Sequence, residues 1–200
     1  MSLTALEIEK LSFEIIEKEF DFKKFSPLEK EVVKRVVHAT ADPEYIETMV
    51  FHKDAISLAL NALKNEMDIL VDVKMLEAGI SKRLLGKSRV ICYLSEVKEG
   101  KGTRTERAIE LAFKREKNIG IIAIGNAPTA LFKVIELLKE VPEKQIVVIG
   151  MPVGFVNAFE AKELLTRQQI PFITNLSRKG GTPATCAVIN ALLKIKNRMT

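Results

Sequence analysis

The chain has no tryptophan, two cysteines, two histidines and few aromatic residues, 6% of its 200 positions. Each scarcity excludes something. Cys92 sits in an apolar run and Cys186 in a helical pattern, so no disulfide scaffold is expected and a reducing compartment, the cytoplasm, is indicated. His38 and His52 lie far from each other and from both cysteines with no ligand-like spacing, so no dedicated metal site is expected. The aromatic supply is too thin for the stacking platform of a single-strand nucleic-acid binder. Long hydrophobic runs are missing as well: Ile146 to Val156 is broken by Gly150, Pro152 and Gly154 and is much too short for a membrane span. Met1 to Lys10 carries Glu7, Glu9 and Lys10 and no apolar leader core, so no secretory signal is expected.

What remains is an ordinary globular composition, 47% hydrophobic and 28% charged, with a net charge of +5. That length builds one domain with a substantial core, spanning 1–200 without an internal linker or repeat. A surplus of five positive charges is mild and suits an anionic small molecule better than a polynucleotide.

The first third reads as helical. Apolar residues recur at helical spacing from Thr4 to Glu19; Ser26-Pro27-Leu28-Glu29 is a capping box with proline at the first helical position, opening a helix to about Ala39; a third helix runs from Asp54 to Glu66. From Asp68 the pattern changes to short runs rich in β-branched residues: Ile69–Val73, Arg89–Tyr93, Ile119–Ile124, Gln145–Ile149 and Pro171–Thr174. Nearly continuous Ile and Val in most of them is the mark of strands buried on both faces, and the intervening helices make parallel pairing the natural topology. The expected fold is α/β: a five-stranded, mainly parallel sheet flanked by helices, with the N-terminal helices packed on the same domain.

In such sheets ligands bind beyond the carboxyl ends of the strands, where loops lead into helix N-termini. The unusual residues collect there: Asp72 after the first run, Thr103 and Arg104 after the second, Gly125-Asn126-Ala127-Pro128-Thr129 after the third, and Ser177-Arg178-Lys179-Gly180-Gly181-Thr182 after the fifth. Helix N-termini with Arg and Lys beside them favour anions. The Arg178–Gly181 run combines two cations with paired glycines that allow close backbone approach, although a solvated turn capping the last helix at Thr182 and Pro183 explains the same residues. Neither the P-loop pattern nor the dinucleotide glycine pattern is present, so ATP and NAD are not indicated. His38, three residues after Arg35 on one helix face, is either a dipole-compensating residue at a helix end or a proton donor and acceptor near neutral pH.

Taken together, Arg35-Val36-Val37-His38-Ala39-Thr40-Ala41-Asp42, Gly125 to Phe132, Pro152-Val153-Gly154-Phe155-Val156 and Arg178-Lys179-Gly180-Gly181 resemble the precorrin-8X methylmutase family, most nearly its anaerobic, cobalt-precorrin-8 branch. The likeness runs from Ser12-Phe13 to about Leu193. It implies an isomerase of cobalamin biosynthesis that moves a methyl group from C-11 to C-12 of a corrinoid ring, with no added cofactor, acting as a homodimer. It implies that His38 is the catalytic proton donor and acceptor and that Ser12 contacts substrate. Carboxylates on the ring periphery suit Arg104, Arg178, Lys179 and the helix N-termini, and Arg35 could bind a carboxylate or act on His38. After Gly181 the sequence departs from the family pattern with Thr182-Pro183-Ala184-Thr185-Cys186, where serine and small apolar residues are usual. A non-catalytic corrinoid carrier with His38 as a cobalt ligand is the second reading, and an unrelated nucleotide-binding protein the third.

Overall fold

The computed structural model describes residues 4–199; the start of the Met1–Lys10 stretch lies outside them. The chain opens with α1 (Ala5–Glu19), α2 (Pro27–Thr40) and the short α3 (Glu44–Thr48), then β1 (Met49–Phe51) and α4 (Ala55–Lys64). An alternating series follows: β2 (Asp68–Val71), α5 (Lys74–Gly79), β3 (Val90–Ile91), α6 (Arg104–Arg115), β4 (Ile119–Ile124), α7 (Pro128–Lys139), β5 (Val147–Gly150), α8 (Ala158–Thr166), β6 (Phe172–Asn175) and α9 (Thr182–Arg198). The strand order is β1-β6-β5-β4-β2-β3, parallel throughout except for β1.

The sheet therefore has six strands where five were expected. The extra one, β1, pairs antiparallel with β6 through Met49↔Asn175, Val50↔Thr174 and Phe51↔Ile173. Three residues between two helices are too few to display an alternation, and the pairing that makes them a strand is with residues far along the chain. The other runs fall within two residues of their expected ends, and Ile119–Ile124 matches at both.

Strand residues alternate between two cores, as the two-residue period requires. Ile69, Val71, Ile121, Ala123, Val147 and Ile149 pack with α2, α4, α5 and α9, whereas Leu70, Ile122, Ile124 and Val148 pack with α6, α7 and α8. All these side chains are essentially inaccessible to water. With both faces covered, apolar residues at every strand position are what the topology demands.

Helix α1 is different. None of its residues is fully buried, and it lies outside α2, with Ile16 and Phe20 touching the core. Ion pairs supplement that limited apolar contact. Glu9 meets Arg35 at 2.6 Å and Lys194 of α9 at 2.8 Å, and Glu17 meets both Lys30 and Lys34 of α2. Its outward side exposes Ile8, Leu11 and Ile15.

Candidate functional site

Five of the six strands are parallel, so their carboxyl ends and the N-termini of α6, α7 and α9 meet at one edge of the sheet. Strand order reverses between β2 and β4, since the connection from β2 runs outward to β3 and the next returns to β4's side. That reversal opens the crevice where open α/β sheets ordinarily take their ligand. Here a side chain fills it. Asp72, wholly buried just beyond β2, accepts the backbone N–H groups of Gly125 at 3.1 Å, Asn126 at 2.8 Å and Ala127 at 2.9 Å. Burial pushes its carboxyl upward, and those three donors work against that shift by favouring the charged form. The donors that the Gly125–Ala127 turn could offer an external anion are thus engaged from within. The turn is also pressed against α9: a Cβ on Gly125 would lie 3.0 Å from Thr185 Oγ1 and 3.2 Å from Thr182 Cα.

Thr103 and Thr129 are likewise joined to each other. Their hydroxyls lie 2.9 Å apart and link the starts of α6 and α7, while Thr103 caps α6 reciprocally with Glu106. Arg104 donates from Nε to the carbonyl of Leu94 at 2.9 Å and, among the described residues, has no carboxylate partner.

The last loop is held with unusual thoroughness. Gly180 (φ 149°) approaches the Met151 carbonyl so closely that a Cβ would stand 2.3 Å from its oxygen, which leaves room only for glycine. Gly181 N–H donates to that same oxygen at 2.7 Å. Outside, Arg178 lies over the exposed ring of Phe155, 5.5 Å from its centroid. Lys179 turns toward α3 and meets Asp42 at 2.7 Å and Glu44 at 2.8 Å, which raise its pKa. Tyr45 reaches the Gly180 carbonyl from below at 3.4 Å, and its burial together with Asp42 pushes the phenol up to about 12.

Lys162 was hidden from sequence reasoning. The run Ala161-Lys162-Glu163-Leu164 reads as an ordinary amphipathic helix with an exposed lysine, yet Lys162 is fully buried beneath this loop. Burial lowers its pKa to about 8. Tyr45 was missed too, and no local signal distinguishes it.

His38 occupies the last turn of α2, half-buried, with its ring 5.1 Å from that of Phe13. Arg35 flanks the same ring, its guanidinium 4.7 Å from the centroid, as the three-residue spacing requires. Its charge is committed to Glu9, and the hollow it lines on that side holds Glu31, Lys34, Lys194 and Arg198 rather than His38. His38 faces a cleft of ≈ 340 Å³ shared with Ser12, Ile16, Phe20, Val37 and Pro43. Among the described residues no hydrogen bond holds either ring nitrogen. Ser12 donates to the Ile8 carbonyl at 2.8 Å, so its oxygen keeps acceptor capacity for a ligand.

On the other side of the same turn is a second hollow of ≈ 480 Å³, bounded by Ala39, Thr40, Asp42, Tyr45, Val153, Lys179 and Gly180. Ala41, in the left-handed conformation at φ 52°, ends α2 between them. The structure thus brings Ser12, His38, Lys179 and Gly180 around one helix end. It sets Asp72 and the backbone of Gly125–Ala127 apart as a closed unit, and Thr103, Arg104 and Thr129 at the starts of α6 and α7. His52 lines a different hollow, of ≈ 640 Å³, at the amino ends of β5 and β6. No group of three or more metal-binding side chains occurs among the described residues, and no helix there is long and apolar enough to cross a membrane.

Comparison with known proteins gives a single answer. A family model described as "CbiC: Precorrin-8X methylmutase" matches residues 7–195. The cobalt-precorrin-8 methylmutase of Priestia megaterium is 42% identical over 193 residues, covering 93% of this chain and 86% of that protein. The precorrin-8X methylmutase of Sinorhizobium sp is 38% identical over 192 residues, 92% of this chain and 91% of its own. A crystal structure of precorrin-8X methylmutase from Thermus thermophilus superposes with a TM-score of 0.87 at 35% identity, covering 96% of this chain and 98% of that one.

Proposed function

The chain belongs to the precorrin-8X methylmutase family, isomerases of cobalamin biosynthesis, and from that premise we propose that it moves a methyl group from C-11 to C-12 of cobalt-precorrin-8 or precorrin-8X. The product is cobyrinate or hydrogenobyrinate, an isomer of the same mass. His38 is the proton donor and acceptor. One observation supports this most: a half-buried imidazole, braced by Phe13 and unheld at either nitrogen, faces a cleft beside Ser12 at the end of α2. A proton placed on the macrocycle makes the conjugated system poorer in electrons. The bond from C-11 to the methyl group then breaks as that from C-12 forms, and return of the proton to His38 resets the site. Such help is worth about 10²–10⁴ in rate, the remainder coming from holding a rigid ring in one orientation.

Substrate carboxylates suit Arg178 and Arg104, which have no carboxylate partners among the described residues. No added cofactor is needed; cobalt, where present, arrives as part of the ring. The site works in a homodimer in the cytoplasm. In support of a dimer, one shallow cleft is too small to enclose a macrocycle, and Ile8, Leu11 and Ile15 stand exposed beside it.

The test is to mix the purified protein with cobalt-precorrin-8, and separately with its metal-free counterpart, and follow the visible spectrum and the mass. A spectral change at constant mass is expected with one or both. His38→Ala is expected to abolish it while still binding the product. A near-normal rate in that variant removes His38 from the chemistry, and binding without conversion by the unaltered protein makes it a carrier.

A further inference from the structure

Lys162 is, with Asp72, one of two wholly buried ionisable side chains among the described residues. Its side chain is completely buried, and among the described residues no carboxylate lies within ion-pair distance. Removing an ammonium from water is expensive unless every proton finds an acceptor. All three do: Nζ donates to the carbonyls of Ser177 at 2.5 Å and Lys179 at 2.7 Å and to Oδ1 of Asn175 at 3.4 Å. Asn175, also wholly buried, turns its Nδ2 to the Lys179 carbonyl at 2.9 Å.

The neighbouring carbonyls are treated the same way. Gly154 N–H takes that of Arg178 at 3.1 Å, and Tyr45 takes that of Gly180. Every carbonyl from Ser177 to Gly180 therefore accepts from the protein's own donors. A loop meant to receive carboxylates has good reason for this arrangement, because an outward carbonyl would repel them.

We infer that Lys162 is a positioning residue for substrate: its buried ammonium turns the carbonyls of Ser177 and Lys179, on either side of Arg178, inward and so fixes Arg178 and the paired glycines in the geometry that receives a carboxylate of the ring. The inference rests on the proposed methylmutase activity and adds a residue that touches no substrate. A methionine at 162 would fill the same space with no donor, taking the partner from the Ser177 carbonyl and from Asn175 Oδ1 and leaving the Lys179 carbonyl to Asn175 Nδ2 alone, whereas a glutamine would return two N–H donors without the charge.

The experiment is steady-state kinetics of the parent, Lys162→Met and Lys162→Gln, with thermal unfolding of each. Misplacing one charge-assisted contact is worth roughly 10–100-fold in affinity. Lys162→Met is expected to raise KM by roughly that factor with kcat within about threefold, and Lys162→Gln to recover part of the loss. An unchanged KM accompanied by a lower melting temperature overturns the inference and leaves Lys162 as a strut of the core. A fall in kcat at constant KM overturns it equally. Should the methionine variant not fold, the glutamine variant is judged by the same criteria. A parent protein that does not isomerise the substrate refutes the activity first, and the inference with it.

Discussion

Replacing Asp72 by alanine removes three charge-assisted hydrogen bonds at once, to Gly125, Asn126 and Ala127, from a carboxylate with no exposed surface. Hydrogen bonds to charged groups contribute about 1.5–3 kcal/mol each, but the three share one acceptor and the side chain's own burial cost disappears with it. Asn126 is exposed, so water can reach part of the vacated turn. A net loss of about 3–5 kcal/mol follows, a large share of the 5–15 kcal/mol that holds a typical domain together. Asparagine keeps the shape and one acceptor oxygen, though its amide hydrogens then face N–H donors; a loss of about 2–3 kcal/mol is expected. Urea unfolding measures the order, parent above Asp72→Asn above Asp72→Ala, with the midpoint of the alanine variant lowered by about 1–2 M at unchanged slope. Hydrogen exchange at Gly125–Ala127 should accelerate in parallel. If the alanine variant unfolds within 1 kcal/mol of the parent but binds the corrinoid poorly, Asp72 is a substrate contact and the closed crevice is misread.

Three further outcomes are expected. Gly180→Ala must move backbone, since its Cβ would meet the Met151 and Pro152 carbonyl oxygens at 2.3 and 3.0 Å; a loss of about 2–4 kcal/mol in thermal unfolding is expected, and a stability equal to the parent's would show that the loop yields freely. Glu9, bonded to Lys194 and Arg35, is held at about 2 against an ordinary 4.5, so its contribution to docking α1 is present above pH 4.5 and is lost as the pH falls through about 2. Hydrogen exchange should find α1 losing protection in that window before α2 and α9 do, and an α1 as protected at pH 2 as at pH 7 refutes its electrostatic attachment. Neutralising the partners of Lys179 with Asp42→Asn and Glu44→Gln together should lower KM severalfold at low salt and little at high salt, and no change would mean that Lys179 does not face the substrate.

The layered fold was legible because burial on both faces writes itself into consecutive residues: Ile119 to Ile124 is fully buried at all six positions. β1 was not, because Met49–Phe51 is a strand only by virtue of β6. The site was legible as a set of positions and illegible as a set of states. Spacing alone puts Arg35 and His38 on one face of α2, but nothing near Arg35 announces that Glu9, 26 residues earlier, neutralises it. Lys179 looks like an available cation until Asp42 and Glu44 are brought across from the turn between α2 and α3 and the start of α3. Asp72, read as a residue at a ligand edge, is at that edge and acts there as the ligand itself. In each case the missing information is a partner distant in sequence, which periodicity and motif cannot carry.

The sealed crevice between β2 and β4 also bears on selectivity among metabolites. Phosphate esters and nucleotides are the most abundant anions that such sheets capture, and they do so through the N–H groups that Asp72 holds. With an internal carboxylate seated there, an incoming phosphate finds its donors engaged and a negative charge in its place. Under the proposed function, a protein that binds a ring bearing several carboxylates thereby has one competitor-binding trap fewer. On the proposed assignment of the site to the end of α2, recognition there would rest on shape and on the spacing of several carboxylates, features that small phosphates do not share.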